Sequence, residues 1–367
     1  MTLSADRIAR RLEKIFCAFL EKTTQRKGIS LVLESKISQD GISFAPSARN
    51  EREILISLNL SKIEKGYKLE GNWFPEVPEE ELMAVFAEEM PQEKIFFSCQ
   101  KALHGYGIVH VACADLYAKP VLEKGDNLAS QLLYGVPVIL LESTPDKSFF
   151  RIQGQQDGYI AWIASQSIKQ MSKKDWDAWK NLPKSYLEEE CEGFFPGSTL
   201  AYIYDDCYPY FSQEKEKKKI SLPWTKKESS QTPQEKILST AKKFLQKDEW
   251  KKTTYLWGGT CIPKLDCSGF VQTVFRMNHI LLPRDSDQQY QFSTPITKEQ
   301  LQQGDLVFFS QHGRYPTHVG IYIGNNLYIH CSPAGEYSGI KINQLNGAKE
   351  YEKLLDRLFF AAGRILR

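Results

Sequence analysis

The first apolar residues of the chain recur with the period of an α-helix. Between Ser4 and Lys22 one helical face carries apolar side chains, namely Ile8, Leu12, Ile15, Phe16, Phe19 and Leu20. We expect this helix to dock on the chain's own core, with a membrane-surface anchor as the alternative. No apolar run reaches the ~20 residues of a membrane span or forms a signal-peptide core, so we expect a cytoplasmic protein without a transmembrane segment.

The pattern then changes to the alternation typical of β-strands. Strands are predicted at 29–33, 54–58 and 67–69, and a helix at 79–89, where Leu82, Val85 and Phe86 share a face. These elements predict a small α+β module over residues 1–104. The sequence assigns it no activity, and a packing or dimerisation role is the simplest interpretation.

Short β-rich runs with turn residues follow from 105 to about 168, and the Asp157-Gly158 pair marks a tight turn. A small β-barrel is therefore predicted over 105–170. Residues 171–231 contain a helical patch at 173–180 and two short β-rich runs, which fit a second barrel followed by a linker. The charged run at 214–219 is interpreted as a solvated loop.

A new domain is predicted over 232–367. Thr232 and Glu235 form a capping box with Pro233 at the first helical position, which is the pattern of a helix start. The chain as a whole is thus expected to be an α+β multi-domain protein of 367 residues.

Composition narrows the class of function. A net charge of +2 leaves no basic excess to neutralise phosphates, so no nucleic-acid partner is expected. The eight cysteines show neither CxxC pairs nor a regular framework, which suggests a reducing compartment.

Cys267 is the first candidate for chemistry. Asp266 is a good N-cap residue, and apolar residues then recur at helical spacing, which places Cys267 in the first turn of a helix. Unpaired N–H groups and the helix dipole there are expected to lower the pKa of the thiol. A buried, inert cysteine is the alternative interpretation.

Two histidines occupy the two strands of a predicted hairpin, His318 before and His330 after the turn at Gly324-Asn325-Asn326. The two rings lie on the same face of the sheet only if the residue numbers that pair directly across the hairpin add up to an even value, as 318 and 330 do. A plain two-residue turn at Gly324 and Asn325 would give an odd sum. We therefore predict a three-residue or bulged connection that makes His318 a base and His330 its orienting partner.

A zinc site is an alternative use of these side chains, since zinc accepts all their ligand types. The candidate ligands are Cys261, Cys267, His318, His330 and Cys331. They include no close ligand pair of the usual spacing, because adjacent residues of a strand point to opposite faces. We therefore expect neither a metal nor another cofactor.

Three motifs occur in order along the chain, namely Asp266-Cys267-Ser268-Gly269-Phe270, His318-Val319-Gly320-Ile321-Tyr322 and Ile329-His330. Together they resemble the NlpC family of cell-wall cysteine peptidases, which share a papain-like core. Two more, Tyr255-x-Trp257-Gly258-Gly259 and Arg284-Asp285-Ser286-x-x-Gln289, resemble the branch of γ-D-glutamyl-L-diamino acid endopeptidases, which carry bacterial SH3 domains. The resemblance covers roughly 105–367 and makes both predicted barrels SH3-like.

The resemblance implies a site and a substrate. Cys267, His318 and His330 would form a catalytic triad, and the Cys267 N–H and the Tyr255 hydroxyl would bind the oxyanion. The D-glutamyl part of a peptidoglycan-derived L-Ala-γ-D-Glu-diamino acid peptide would lie among Trp257, Asp266, Ser268 and Ser286. In the first SH3 domain, Tyr159 and an acidic residue would hold a free amine. The aligned position of that acid is Asn127, so we assign the carboxylate to Asp126.

Two other functions remain open on sequence grounds. SH3-like barrels bind peptides without chemistry, so the chain could be a non-catalytic cell-wall peptide-binding protein. That reading predicts loss of a catalytic residue, whereas all three are present. The same site could also serve a different acyl hydrolase or transferase.

Overall fold

The computed structural model describes residues 2–123, 125–187, 193–203, 206–208 and 231–366. The N-terminal module begins with helix α1 (Thr2–Thr24). It continues through β1 (Leu33–Ile37), β2 (Gly41–Pro46), β3 (Leu55–Ile63), β4 (Gly66–Phe74), α2 (Glu79–Glu89) and β5 (Ile95–Lys101). The strands form one sheet in sequence order. Only the β4–β5 pair is parallel, because α2 supplies the crossover between these strands.

Helix α1 packs on this sheet, as expected from its apolar face. Ile8, Leu12 and Phe16 are fully buried in the module's core. The docking interpretation of this helix is therefore confirmed.

The strand predicted at 29–33 is wrong, because β1 begins only at Leu33. Ile29 and Leu31 are buried with the period of a strand, but the backbone N–H groups there bond to side chains. Ile29 N donates to Glu21 at 3.2 Å, and Val32 N donates to Asn50 at 2.9 Å. This segment therefore has the alternating burial of a β-strand, although it is not paired with another strand.

The second unit is a seven-stranded antiparallel sheet. Its strands are β6 (Gly105–Val109), β7 (Cys113–Tyr117), β8 (Leu128–Leu133), β9 (Pro137–Ser143), β10 (Phe149–Gly154), β11 (Ile160–Ala164) and β12 (Ile168–Met171). They lie in the order β12-β6-β9-β10-β11-β7-β8. The predicted turn at Asp157-Gly158 joins β10 to β11, and Gly158 adopts the positive φ of 74° that such a turn uses.

A smaller unit follows, made of α3 (Lys173–Asn181), β13 (Lys184–Tyr186), β14 (Thr199–Ile203) and β15 (Asp206–Tyr208). Its three strands form one sheet. The predicted helix at 173–180 is confirmed. The remainder of the expected second barrel, including the charged run at 214–219, lies outside the described residues.

The C-terminal domain begins with α4 (Pro233–Gln246), which has the predicted capping box and proline. It continues through β16 (Thr254–Tyr255), β17 (Thr260–Cys261), β18 (Lys264–Leu265), α5 (Cys267–Arg276), α6 (Ser286–Phe292), β19 (Thr294–Ile296), β20 (Leu306–Phe309), β21 (His318–Gly324), β22 (Leu327–Ser332), β23 (Gly339–Gln344), α7 (Glu350–Arg357) and β24 (Phe359–Arg364). The main sheet has the order β19-β24-β20-β21-β22-β23, and α5 packs on β21 and β22.

The units are joined by hydrogen bonds across their boundaries. Thr260 of the C-terminal domain donates to the Gln131 side chain at 3.0 Å and to its main-chain oxygen at 2.9 Å. Lys27 N donates to Gln291 O at 3.1 Å. None of the helices in the described ranges is both long and apolar enough to span a bilayer.

The fold predicts that Phe16→Ala destabilises the N-terminal module. The Phe16 ring is fully buried, and truncation of such a ring typically costs about 3–5 kcal/mol of unfolding free energy. Urea unfolding followed by tryptophan fluorescence measures the change. Lys14→Ala, on the exposed side of the same helix, is the matched control and should stay within about 0.5 kcal/mol of wild type. Equal losses in both variants would contradict the docking of α1.

Candidate active site

Cys267 is the first residue of α5, as the sequence predicted. Asp266 is the N-cap, and its carboxylate accepts the Gly269 N–H at 2.7 Å. A side chain at position 269 would meet Gly259 O at 2.0 Å, so the loop and the helix start can approach this closely only with glycine there. Cys267 is consequently held with 7% of its surface exposed.

Asp266 is the centre of a buried polar cluster. Its two oxygens accept from Gly269 N, Ser268 Oγ and Gly258 N, and from both terminal nitrogens of Arg284 at 3.1 and 2.5 Å. These five donors use the acceptor capacity of a carboxylate. Asp266 therefore serves the loop and the helix start, which leaves no lone pair for the substrate contact expected from the resemblance.

Arg284 connects this cluster to the preceding barrel. Its side chain is 1% exposed and also donates to Ser268 Oγ and to Ser130 Oγ, each at 2.9 Å. Burial disfavours its charge, but Asp266 outweighs this effect and the pKa of Arg284 is raised. Arg284 belongs to a sequence motif, but its role could not be predicted because its partners lie far away along the chain.

The hairpin that carries the histidines has the predicted irregularity. Ile321 pairs with Ile329 and Tyr322 with Tyr328, and the register then shifts between Tyr322 and Gly324. This bulge gives the even-sum register, so both rings lie on one face. The prediction of a bulged connection is confirmed.

The two imidazoles are hydrogen-bonded to each other. His318 Nε2 and His330 Nδ1 are 2.6 Å apart, and His330 Nε2 lies 2.9 Å from Asn343 Oδ1 on β23. His330 is completely buried. Asn343 was missed by the sequence analysis, since an isolated asparagine in a strand carries no motif.

The protonation of the resting site differs from expectation. Burial, together with the Asp266 charge, raises the pKa of the Cys267 thiol to about 12, although the N–H groups of Val319 and Ser268 act in the opposite direction. Burial and the nearby Lys341 lower the pKa of His318 to about 4. The expected lowering of the thiol pKa by the helix start is therefore wrong, because desolvation outweighs the dipole. Thiol and imidazole are both neutral at pH 7.

Tyr255, on β16, lies near Cys267. Its ring is partly buried, and burial together with the nearby Cys267 raises the pKa of its hydroxyl. The group therefore keeps its proton and can donate to an oxyanion. The Cys267 N–H, in the first turn of α5, has no partner within the helix and is a second donor.

The other expected substrate contacts are distributed around the site. Trp257 is 60% exposed on the loop before Cys267, and Ser286 Oγ donates to Pro316 O at 3.2 Å, next to the strand that carries His318. Ser268 is committed to Asp266 and Arg284. Trp257 and Ser268 therefore lie on the segments that flank Cys267, and Ser286 contacts the segment that precedes His318.

The residues expected to form the amine pocket, Asp126 and Tyr159, both lie in the described ranges and are not in contact with each other. Asn127 uses its amide to hold the loop at residues 119–121, with bonds of 2.8, 3.3 and 3.0 Å, and Asp126 beside it is exposed. Tyr159 is buried near Asp285, but the Asp285 carboxylate is already ion-paired with Arg52 of the N-terminal module. No contact among the described residues joins Asp126 to Tyr159.

The zinc alternative has no support in the geometry. Across the described ranges, no group of three or more histidine, cysteine or acidic side chains is arranged to hold a metal ion. Cys331 donates its thiol proton to Leu265 O at 3.1 Å in the core.

The comparisons with known proteins identify the family of the domain that contains these residues. Residues 252–357 match the NlpC/P60 family model, and residues 116–168 match that of the bacterial dipeptidyl-peptidase SH3 domain. A probable endopeptidase of Haemophilus influenzae is 38% identical over 115 residues, which are 30% of this chain and 69% of the relative. The chain belongs to the NlpC/P60 family, and an SH3 domain of the dipeptidyl-peptidase kind precedes its NlpC/P60 domain.

Two further comparisons cover more of the chain. Gamma-D-glutamyl-L-lysine dipeptidyl-peptidase of Bacillus cereus is 27% identical over 250 residues, which are 61% of this chain and 73% of that protein. The crystal structure of an NlpC/P60 family protein from Bacillus cereus shares the fold, with a TM-score of 0.53 and 20% identity over 72% of this chain and all of that one. The chain covers 59%, 22% and 19% of the length of three other probable endopeptidases. The expected family and fold class are thus confirmed.

We predict that Arg284→Met strongly destabilises the protein. Without the guanidinium, the Asp266 carboxylate stays buried and unpaired, and loss of one partner of a buried pair costs roughly 3–5 kcal/mol. Urea unfolding at pH 7 measures the loss. The surface pair of Lys173 and Asp177 is the control, since Lys173→Met should cost no more than about 0.5 kcal/mol. A similar small cost for Arg284→Met would contradict the assigned role.

The low pKa of His318 predicts a pH dependence of stability. An unfolded histidine binds a proton near pH 6.5, whereas folded His318 does so only at about 4, so the unfolded state binds more protons between these values. Stability should therefore fall as pH drops from 6.5 toward 4. We expect a loss of roughly 1 to 2 kcal/mol between pH 7 and 5, after allowance for partial exposure. His318→Gln should show a weaker pH dependence in the same urea titrations, and an unchanged slope would refute the assignment.

Proposed function

We propose that the protein is a cysteine peptidase that hydrolyses the γ-D-glutamyl-diamino acid bond of peptidoglycan stem peptides. The observation that carries this proposal is the 2.6 Å bond between His318 and His330 on a strand pair packed against the helix that starts with Cys267. The name of the Bacillus cereus relative supports the choice of bond. In this proposal the catalytic domain comprises residues 232–367, preceded by a module at 1–104, an SH3 domain at 105–170 and a second SH3-like unit with linker at 171–231.

The neutral resting forms of Cys267 and His318 determine how the first step of the mechanism proceeds. Cys267 Sγ attacks the carbonyl carbon while its proton passes to the free ring nitrogen of His318, so that no isolated thiolate accumulates in the buried site. Negative charge develops on the carbonyl oxygen, which accepts from the Cys267 N–H and the Tyr255 hydroxyl. Loss of one such donor typically raises the barrier by roughly 3–4 kcal/mol.

Collapse of the tetrahedral intermediate breaks the carbon–nitrogen bond. The imidazolium of His318 returns the proton to the leaving amine of the diamino acid, and the acyl group remains as a thioester on Cys267. Water then attacks the thioester, His318 takes the proton of that water, and the thiolate recovers it when the D-glutamyl carboxylate leaves. His330 holds the His318 ring throughout.

The substrate would be bound by the segments around this pair. We assign Trp257, Ser268 and Ser286 to the D-glutamyl part, with Ser268 held in place by Arg284. Asp266 keeps its role in orienting the helix start. Tyr159, from the SH3 domain, is assigned to the amino-terminal part of the peptide.

We predict that the enzyme discriminates weakly between free and blocked substrate amines. The Asp285 carboxylate near Tyr159 is paired with Arg52, and Asp126 is exposed elsewhere, so no unpaired carboxylate is assigned to a substrate ammonium. L-Ala-γ-D-Glu-diaminopimelate and its N-acetyl form should therefore be cleaved within about tenfold of each other, since a fully formed charged contact would give more than about 1.4 kcal/mol. Mass spectrometry of the products measures both rates, and strict selection of the free amine would contradict this assignment.

The catalytic role of Cys267 is tested in the same assay. Cys267→Ala should abolish release of diaminopimelate from either peptide, because the thioester of the proposed mechanism forms on Cys267. Cys261→Ala, at a buried cysteine outside the proposed triad, is the matched control and should keep its activity. Failure of wild type to release diaminopimelate from either peptide would reject the proposed bond, and undiminished cleavage by Cys267→Ala would reject the mechanism.

A further inference from the structure

We propose that Asn343, oriented by Glu352, is a positioning residue that determines which ring nitrogen of His318 acts as the base. The inference rests on the proposed peptidase triad and extends it by two residues. Four side chains form one continuous hydrogen-bonded line, Glu352, Asn343, His330 and His318. The line runs from the first turn of α7, across β23 and β22, to the start of β21.

Glu352 sets the donor-to-acceptor direction of the hydrogen bonds along this line. This buried carboxylate accepts the backbone N–H groups of Gln344 at 3.1 Å and Lys349 at 3.2 Å, and the Asn343 side chain at 3.3 Å. An ionised carboxylate can only accept hydrogen bonds. The amide of Asn343 must therefore turn its donor, Nδ2, toward Glu352. Asn343 Oδ1 consequently faces His330.

An amide oxygen can only accept a hydrogen bond. His330 Nε2 must therefore carry its proton in the 2.9 Å bond to Asn343. The pKa of His330 is lowered well below its usual value by burial, so the ring is neutral and has one N–H only. Its Nδ1 is then an acceptor and accepts a hydrogen bond from the Nε2–H of His318 at 2.6 Å.

This hydrogen-bond direction determines the state of His318 Nδ1, the ring nitrogen that does not bind His330. With Nε2 protonated and the ring neutral, Nδ1 of His318 has a free lone pair. Cys267 Sγ lies against the Val319 N–H, one residue along the same strand, so this lone pair is the one available to the thiol. The opposite polarity would give Nδ1 a proton and leave the thiol without a base.

Three variants test this role. Asn343→Leu keeps the side-chain volume and removes the acceptor, and we expect kcat to fall about 100-fold with KM changed less than about twofold, since a wrong histidine tautomer removes the base. Asn343→Asp keeps an oxygen toward His330 and should recover part of that loss, with one proton shared between the facing carboxyl groups of residues 343 and 352 in place of the Nδ2 donor. Tyr351→Phe is the matched control, because its hydroxyl bonds Ser332 at 2.6 Å beside His330 without joining the line, and its kcat should change less than about threefold.

A spectroscopic measurement separates positioning from mere stability. The ¹⁵N shifts of histidine-labelled protein report which ring nitrogen carries the proton. Wild type should show the Nε2–H tautomer at both His318 and His330, and Asn343→Leu should show a substantial Nδ1–H population. If Asn343→Leu does not fold, Glu352→Met should give a similar mixture, because Asn343 is then free to turn.

Several outcomes would overturn the inference. An Nδ1–H tautomer of His318 in wild type does so without any variant, as does a folded Asn343→Leu protein with unchanged tautomers. The ring measurement needs no substrate, so it is independent of the proposed bond. If the expected tautomers are found but diaminopimelate is not released, the substrate assignment fails and the hydrogen-bonded line stands.

Discussion

The buried ion pair between Arg284 and Asp266 is the constraint on which the site depends. Two charges removed from water are stable only when their remaining hydrogen-bonding groups are satisfied. Here Asp266 accepts the Gly269 N–H in the first turn of α5, while Arg284 bonds both Asp266 and Ser130 in the SH3 domain. The pair thereby fixes the position of Cys267 and joins it to the neighbouring domain in one cluster.

The residues next to Arg284 extend this junction to the N-terminal module. Arg52 pairs with Asp285, and it bonds Asp287 at 2.7 Å, while Arg49 pairs with Asp287 and lies 3.3 Å from the centre of the Tyr315 ring. The short stretch from Arg284 onward therefore contacts two other units of the chain. This arrangement gives the N-terminal module a structural part in shaping the segments that flank Cys267 and His318.

The protonation states of the site follow from the burial of its side chains. Burial favours the neutral forms of both the thiol and the imidazole, in opposition to the helix dipole at Cys267. A base in such a site is defined by the direction of its hydrogen bonds rather than by a preformed charge. The line from Glu352 through Asn343 and His330 provides that direction, and in our proposal it replaces the preformed thiolate as the source of reactivity.

Local patterns in the sequence determined the elements and the main candidates. The periodicity of α1, the capping box at Thr232, the N-cap at Asp266 and the register of the histidine hairpin are all set by residues close in sequence. The fold class and the two histidines on one face could therefore be predicted, and the family came from the resemblance of the motifs around Cys267, His318 and His330. These features depend on side-chain spacing and backbone preference, which are properties of short segments.

The tertiary structure decided what depends on distant partners. The strand expected at 29–33 is absent because side chains of α1 and of the turn at Asn50 bond its backbone. The thiol pKa, the commitment of Asp266 to Arg284, and the part of Asn343 all arise from burial and from contacts between segments far apart in the chain. Desolvation and long-range hydrogen bonding exist only once the core has closed, so no local pattern could have predicted them.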